Sequence, residues 1–171
     1  MVKSDVSLLL AFEGKKEHVP FQALIDQFFL AERVKLVCGM KKGCLGTQAQ
    51  FQWRLLSPVN AIIVVLGRWD GKTKQSHPVS FEESHYFSVW DSNPARGCKR
   101  FKKPLISIVC HRGKSPASGH YVAYVRDPRS GSWYEYDDES ISQVPWSFVK
   151  SQREDVYSLV FGPGIEMPKV P

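Results

Sequence analysis

An α+β fold built around an antiparallel sheet is what these 171 residues predict, and three observations carry that expectation. A helical period appears early, where Phe21, Leu24, Ile25, Phe28 and Phe29 fall at i, i+3, i+4, i+7 and i+8. After it come short apolar or alternating runs bounded by Gly, Pro, Asn and Ser, which is the spacing of hairpin-connected strands. A helix set before a group of strands, rather than alternating with them, is the α+β pattern. Length sets one domain, big enough to bury about 70% of its unfolded surface.

The elements follow in order. Residues 7–12 form a short buried strand. Residues 20–32 form the helix, with Pro20 suited to its first turn. Residues 34–38 and 49–56 are strands around the turn-rich segment 39–47. Residues 61–66 (Ala-Ile-Ile-Val-Val-Leu) are β-branched and apolar on both faces, which predicts a central strand. Residues 69–103 read as a polar stretch with weak strands. Residues 105–110 form another buried strand, 112–119 a Gly/Ser/Pro loop, 145–150 a helical turn, and 156–161 the closing strand. The domain spans 1–161, and 162–171, with three prolines and two glycines, read as a flexible tail.

The net charge is +6, much of it in Lys41-Lys42 and in residues 96–103 (Arg-Gly-Cys-Lys-Arg-Phe-Lys-Lys). Such a cluster can bind nucleic acid, but no stacking-aromatic pattern or nucleic-acid fold motif goes with it, so it reads as a solvated loop. No apolar run approaches the roughly 20 residues of a membrane span, and the opening lacks a signal-peptide pattern. A cytoplasmic or nuclear location is the expectation. There the four cysteines, Cys38, Cys44, Cys98 and Cys110, are free thiols or metal ligands rather than disulfides.

The chemistry gathers in Ser118-Gly119-His120-Tyr121-Val122-Ala123-Tyr124-Val125 and in Trp133-Tyr134-Glu135-Tyr136-Asp137-Asp138, two alternating strands around the turn at 127–131. With Arg126 facing Gly131, Tyr124 faces Trp133, Val122 faces Glu135, and His120 faces Asp137. Directly opposed residues hold their Cβ atoms roughly 4.5–5.5 Å apart. An imidazole and a carboxylate at that separation share a hydrogen bond that fixes the ring tautomer and stabilises the imidazolium. That is two-thirds of a nucleophile–His–Asp triad. A bulge would bring Asp138 forward instead.

Element order and hairpin together resemble the C-terminal half of the ubiquitin-specific protease family, papain-like cysteine peptidases built as a thumb, palm and fingers. Three blocks carry the resemblance. Residues 53–69 (Trp-Arg-Leu-Leu-Ser-Pro, an apolar strand, then Gly67-Arg68-Trp69) resemble a family strand that ends in lysine-arginine-phenylalanine, with Gly67 and Trp69 as departures. Residues 105–113 followed by Ser118-Gly119-His120-Tyr121 resemble its histidine box. Residues 133–138 and 156–161 resemble its aspartate block and last strand. The resemblance implies a palm with an antiparallel sheet and partial fingers. It implies that His120 is the general base, that Asp137 orients it and that Asp138 assists. It also implies that Ser118, Gly119 and Tyr121 line a channel narrow enough to admit only the Gly-Gly tail of ubiquitin.

The family's nucleophile lies in a cysteine box that opens a thumb helix, and no segment here resembles it. Cys110 lies within an apolar strand and reads as core, while Cys98 sits among Lys99, Arg100 and Lys103 with no defined place relative to His120. Cys38 and Cys44 stand where many family members hold a fingertip zinc, but their six-residue offset does not match a Cys-x-x-Cys pair. No metal or other cofactor is expected. A palm without a thumb would also leave an apolar face open. The leading expectation is therefore a thiol-dependent ubiquitin hydrolase, or deubiquitinase, that carries the His/Asp part of the triad and is inactive alone. Its expected partners are ubiquitin or a ubiquitinated protein and an upstream thumb segment, with no membrane or nucleic acid. The alternatives are a catalytically dead ubiquitin-binding module and a basic adaptor.

Overall fold

One long strand of 18 residues, Cys98–Ser115, organises the molecule, and four other strands pair with it. The computed structural model describes residues 7–12, 18–36, 46–56, 60–69, 71, 73–91, 93–115 and 118–166. In chain order the elements are β1 (Ser7–Ala11), β2 (Val19–Pro20), α1 (Phe21–Phe28), β3 (Glu32–Lys35), β4 (Gln48–Phe51), β5 (Leu55–Leu56), β6 (Ile62–Gly67), β7 (Val79–Ser80) and β8 (Ser84–Trp90). The long strand is β9. It is followed by β10 (Ser118–Arg126), β11 (Trp133–Asp137), β12 (Ser140–Val144), α2 (Trp146–Ser151), β13 (Val156–Phe161) and β14 (Ile165–Glu166).

The main sheet runs β1-β6-β13-β9-β10-β11-β12, with β8 and β14 also on β9 and β5 on β8. It is mixed rather than purely antiparallel, because β1 lies parallel to β6 and β5 parallel to β8. Parallel pairing needs a long crossover, and about fifty residues, α1 among them, separate β1 from β6. Two small ladders, β2–β7 and β3–β4, stand apart from this sheet.

Local signals account for the elements, and tertiary contacts correct their lengths. The helix occupies eight residues, shorter than its apolar stripe suggested. Pro20 caps it in an extended conformation, and the chain turns at Phe29 and Leu30 to enter β3. Phe21, Leu24 and Ile25 are buried, while Phe28 and Phe29 are only half-covered. The polar stretch 69–103 contains β7, β8 and the start of β9. In β8 the alternate residues His85, Phe87 and Val89 turn inward. The basic cluster is correspondingly strand rather than loop, and Lys103 within it is buried. Pairing with β8 on one side and β14 on the other overrides its charge. The tail is tied down at Ile165 and Glu166, opposite Lys102 and Phe101.

β6 is interior to the sheet, between β1 and β13. Only one of its faces is covered: Ile62, Val64 and Leu66 are wholly buried, whereas Ile63 and Leu9 on β1 are 39% and 63% exposed. Beneath the covered face, Phe161 packs against Phe21 at 5.5 Å and Phe87 at 5.1 Å. Each such side chain contributes roughly 1.5–3 kcal/mol through burial. Arg68 is also fully buried, and its guanidinium donates to the carbonyls of Val156, Gln75, His77 and Arg153. It stitches the segment after β6 to the start of β13.

Candidate active site

Residues that share one face of β9, β10 and β11 form a continuous row from core to rim. Ile108 and Cys110 on β9 pair with Tyr124 and Val122 on β10, and all four are buried. One step further, Arg112 pairs with His120. On β11, Glu135 pairs with Tyr124, and Asp137 lies two residues along on the same face. The candidate pair therefore sits where the packed interior ends, with side chains about 40% exposed.

The β10–β11 register differs from the sequence expectation by two residues. Arg126 faces Trp133 rather than Gly131, and Tyr124 faces Glu135 rather than Trp133. The turn is longer because the Asp127 carboxylate accepts from the Arg129 amide and the Ser130 hydroxyl, drawing Gly131 and Ser132 into the loop. A two-residue shift leaves every side chain on its own face, since the strand period is two. His120 and Asp137 thus meet as diagonal neighbours, Nε2 to Oδ1 at 2.5 Å. A bulge does occur, but in the β9–β10 ladder between Ser118 and His120. Asp138 remains the outer residue, its carboxylate 4.0 Å from Nε2, at a turn position with φ 52°.

The bond from Asp137 raises the His120 pKa above the ordinary 6.5, and the charge of Asp138 adds to it. Partial desolvation and Arg112 pull the other way. The second oxygen of Asp137 faces Arg112 Nη1 at 3.5 Å. Arg112 Nη2 donates to the Tyr124 hydroxyl at 2.7 Å and to Glu135 at 2.9 Å, and the Tyr124 hydroxyl donates to the same Glu135 oxygen at 2.9 Å. Burial and the bond to Glu135 push the Tyr124 phenol far above its normal range.

The three proposed channel residues are placed differently. Gly119 is forced by close approach, since a Cβ there would lie 2.4 Å from His111 Nε2 and 2.9 Å from the Arg112 carbonyl. Gly113, across the hairpin, would meet the Ser118 carbonyl at 2.5 Å. Ser118 shares a hydrogen bond with Ser115 at the hairpin mouth, 2.9 Å. Tyr121 is half-exposed with its ring 4.7 Å from that of His111, on the face opposite His120. His111 is buried between Tyr121 and Trp69, and its carbonyl accepts from Lys74. Neither described cysteine adjoins the pair on the exposed rim. Cys110 is wholly buried, its thiol pushed up to about 12 chiefly by burial, and Cys98 pairs with Trp90 at the opposite end of β9. Cys38 and Cys44 lie outside the described residues.

Sequence reasoning missed Arg112, Glu135 and Tyr124 as parts of one network. The signal was available in part: Glu135 and Asp137 are two apart on one strand and so share a face.

A family model described as ubiquitin carboxyl-terminal hydrolase matches residues 55–161 of this chain, well over half of it and including every residue of the network. The chain belongs to that family. Ubiquitin carboxyl-terminal hydrolase 48 of Rattus norvegicus is 48% identical over 44 residues, 26% of this chain and 4% of that protein. Ubiquitin carboxyl-terminal hydrolase 26 of Oryza sativa subsp. japonica is 36% identical over 81 residues, 47% of this chain and 7% of that protein. Among solved structures, the SAGA DUB module of Ubp8, Sgf11, Sus1 and Sgf73 bound to monoubiquitin superimposes with a TM-score of 0.72 at 22% identity. It covers 94% of this chain, which spans 36% of that one. At that identity the likeness shows the fold, a palm of the ubiquitin carboxyl-terminal hydrolase type. The aligned stretches are thus a small part of the relatives' own length, 4% and 7%.

Proposed function

We propose that this chain supplies the base and its orienting acid to a thiol-dependent ubiquitin hydrolase that cleaves after the terminal glycine of ubiquitin. The observation that carries the reading is the 2.5 Å contact between His120 Nε2 and Asp137 Oδ1. It leaves Nδ1 as the ring nitrogen open to a thiol. In the reaction, Nδ1 takes the thiol proton as sulfur attacks the glycine carbonyl carbon. The protonated ring then returns that proton to the departing amine, leaving a thioester. Water, deprotonated by the same nitrogen, releases the ubiquitin carboxylate and restores the thiol. Asp137 holds the tautomer and balances the imidazolium, and Asp138 adds charge from the rim. In this reading Ser118, Gly119 and Tyr121 remain the proposed channel residues, while the close approach of Gly113 and Gly119 packs the hairpin tightly against itself and His111 beside the ring.

The nucleophile in this reading is none of the described cysteines. A thiol as protonated as that of Cys110 is inert, and Cys98 sits at the far end of β9. With no described cysteine in reach of the ring, this reading has the chain inactive alone and acting with a segment that brings a thiolate to His120. A fluorogenic ubiquitin C-terminal amide tests this: no turnover is expected from the chain alone, and turnover abolished by His120→Ala would show that it holds its own nucleophile. Ubiquitin with an electrophilic C-terminus should form no adduct on any of the four cysteines. Plain ubiquitin should shift the backbone amide resonances of Gly119 and Tyr121. A full set of unshifted resonances at millimolar ubiquitin would sink the assignment of substrate.

A further inference from the structure

We propose that Arg112 is a positioning residue, clamping Asp137 so that one carboxylate oxygen stays aimed at His120. The inference rests on the functional reading above and deepens the account of that same site. Three strands contribute. Arg112 projects from β9 at the position paired with His120 on β10, and Glu135 and Asp137 project from β11. The guanidinium is itself immobilised, because Nη2 is held by both the Tyr124 hydroxyl at 2.7 Å and Glu135 at 2.9 Å. Those two groups are bonded to each other at 2.9 Å, closing a triangle. Tyr124 is fully buried and Glu135 is half-buried, so the triangle is anchored on the core at one corner.

From that anchor Nη1 reaches Asp137 Oδ2 at 3.5 Å while His120 takes Oδ1 at 2.5 Å. The carboxylate faces a fixed cation at one oxygen, in an ion pair, and hydrogen-bonds the ring it serves through the other. Without the clamp, Asp137 is a strand-end residue, 38% exposed in its side chain and next to a turn. It would be free to rotate away or to solvate. Arginine suits the role and lysine does not, because the planar fork can bind two partners in fixed directions at once. Glu135 also absorbs charge. Arg112 faces Glu135 and Asp137, so the cation is already compensated before it reaches the imidazole. The charged groups around His120 are then Asp137, Asp138 and Arg112, with Glu135 behind.

The experiment is a titration of His120 by ring-proton NMR in a two-by-two set of variants of this chain. Asp137→Asn should lower the His120 midpoint in the wild-type background. In an Arg112→Gln background the same Asp137→Asn change should produce a shift smaller by roughly half or more, since an unclamped carboxylate has less hold on the ring to lose. Comparing shifts within each background removes the direct charge effect of Arg112 on the ring. Arg112→Lys, which keeps the charge and loses the fork, should behave like Arg112→Gln. A full-sized Asp137→Asn shift in either the Arg112→Gln or the Arg112→Lys background overturns the clamp. The amide fingerprint checks folding. Should Arg112→Gln not fold, Arg112→Lys decides alone, with a reduced shift supporting the clamp and a full shift removing it. The titration needs neither ubiquitin nor turnover, so its failure and the failure of the hydrolase assignment are separate results.

Discussion

Two histidines sit opposite cations on the same long strand and titrate in opposite directions. His85 on β8 pairs with Lys103, near the start of β9, and His120 on β10 pairs with Arg112, near its end. Burial drives the His85 pKa down to about 4, whereas the bond to Asp137 raises that of His120. The cross-strand cation is common to both, so it does not decide the outcome. Partners and water do. His85 accepts the Glu82 amide at Nε2 and gives its Nδ1 proton to Gln22, a neutral ring fully used. His120 gives its Nε2 proton to a carboxylate, and the proposed function uses its other nitrogen. The first is a structural histidine against Phe21 and Phe161, and the second is the proposed base.

The largest effect expected from this contrast is on acid stability. In the fold His85 charges only near pH 4, but in the unfolded chain it charges near 6.5. The unfolded state therefore binds the proton first, and stability falls as pH drops through that window, by on the order of 3 kcal/mol at its lower end. Urea midpoints at stepped pH should show the fall, and His85→Gln should flatten it. An unchanged slope in that variant would mean that His85 is not the buried neutral ring described. His120 has the reverse sign. Its contribution is present below 6.5 and fades as pH rises through the elevated folded value.

Next in size is Gly119→Ala. The added Cβ would fall 2.4 Å from His111 Nε2 and against the Arg112 carbonyl, so about 1–3 kcal/mol of destabilisation is expected. A wild-type urea midpoint would show that the hairpin has slack at the site. Asp137→Asn should lower the His120 midpoint while leaving that of His85 in place, as read from the two ring-proton titrations. Movement of both would mean that the two ends of β9 are coupled. The smallest effect belongs to Asp138→Gly. Its φ of 52° suits glycine, so stability should rise by a few tenths of a kcal/mol. The His120 midpoint should also fall slightly as the outer charge is lost. A stability loss above about 1 kcal/mol would assign the Asp138 side chain a structural bond not seen here.

Legibility from sequence varied with the kind of signal. The closing strand 156–161 and the buried strand at 105–110 were readable because runs of β-branched and apolar residues bounded by turns say little else. The meeting of His120 with Asp137 was readable too, despite a register wrong by two, because an even error preserves the face. An odd error would have separated them. The basic segment 96–103 was misread as loop because its pairing partners β8 and β14 are distant in sequence, although Lys99, Arg100 and Lys102 do face solvent and only Lys103 is buried. The clamp on Asp137 was not legible for the same reason, being assembled from three strands.

Alternation in the chain by itself gave His120 and Asp137 each a fixed side of its strand, and a hairpin register of even parity put those two sides on one face. Only the tertiary structure decided which cations were buried, which were clamped and how each histidine titrates. Those depend on water exclusion and on partners that lie far apart along the sequence.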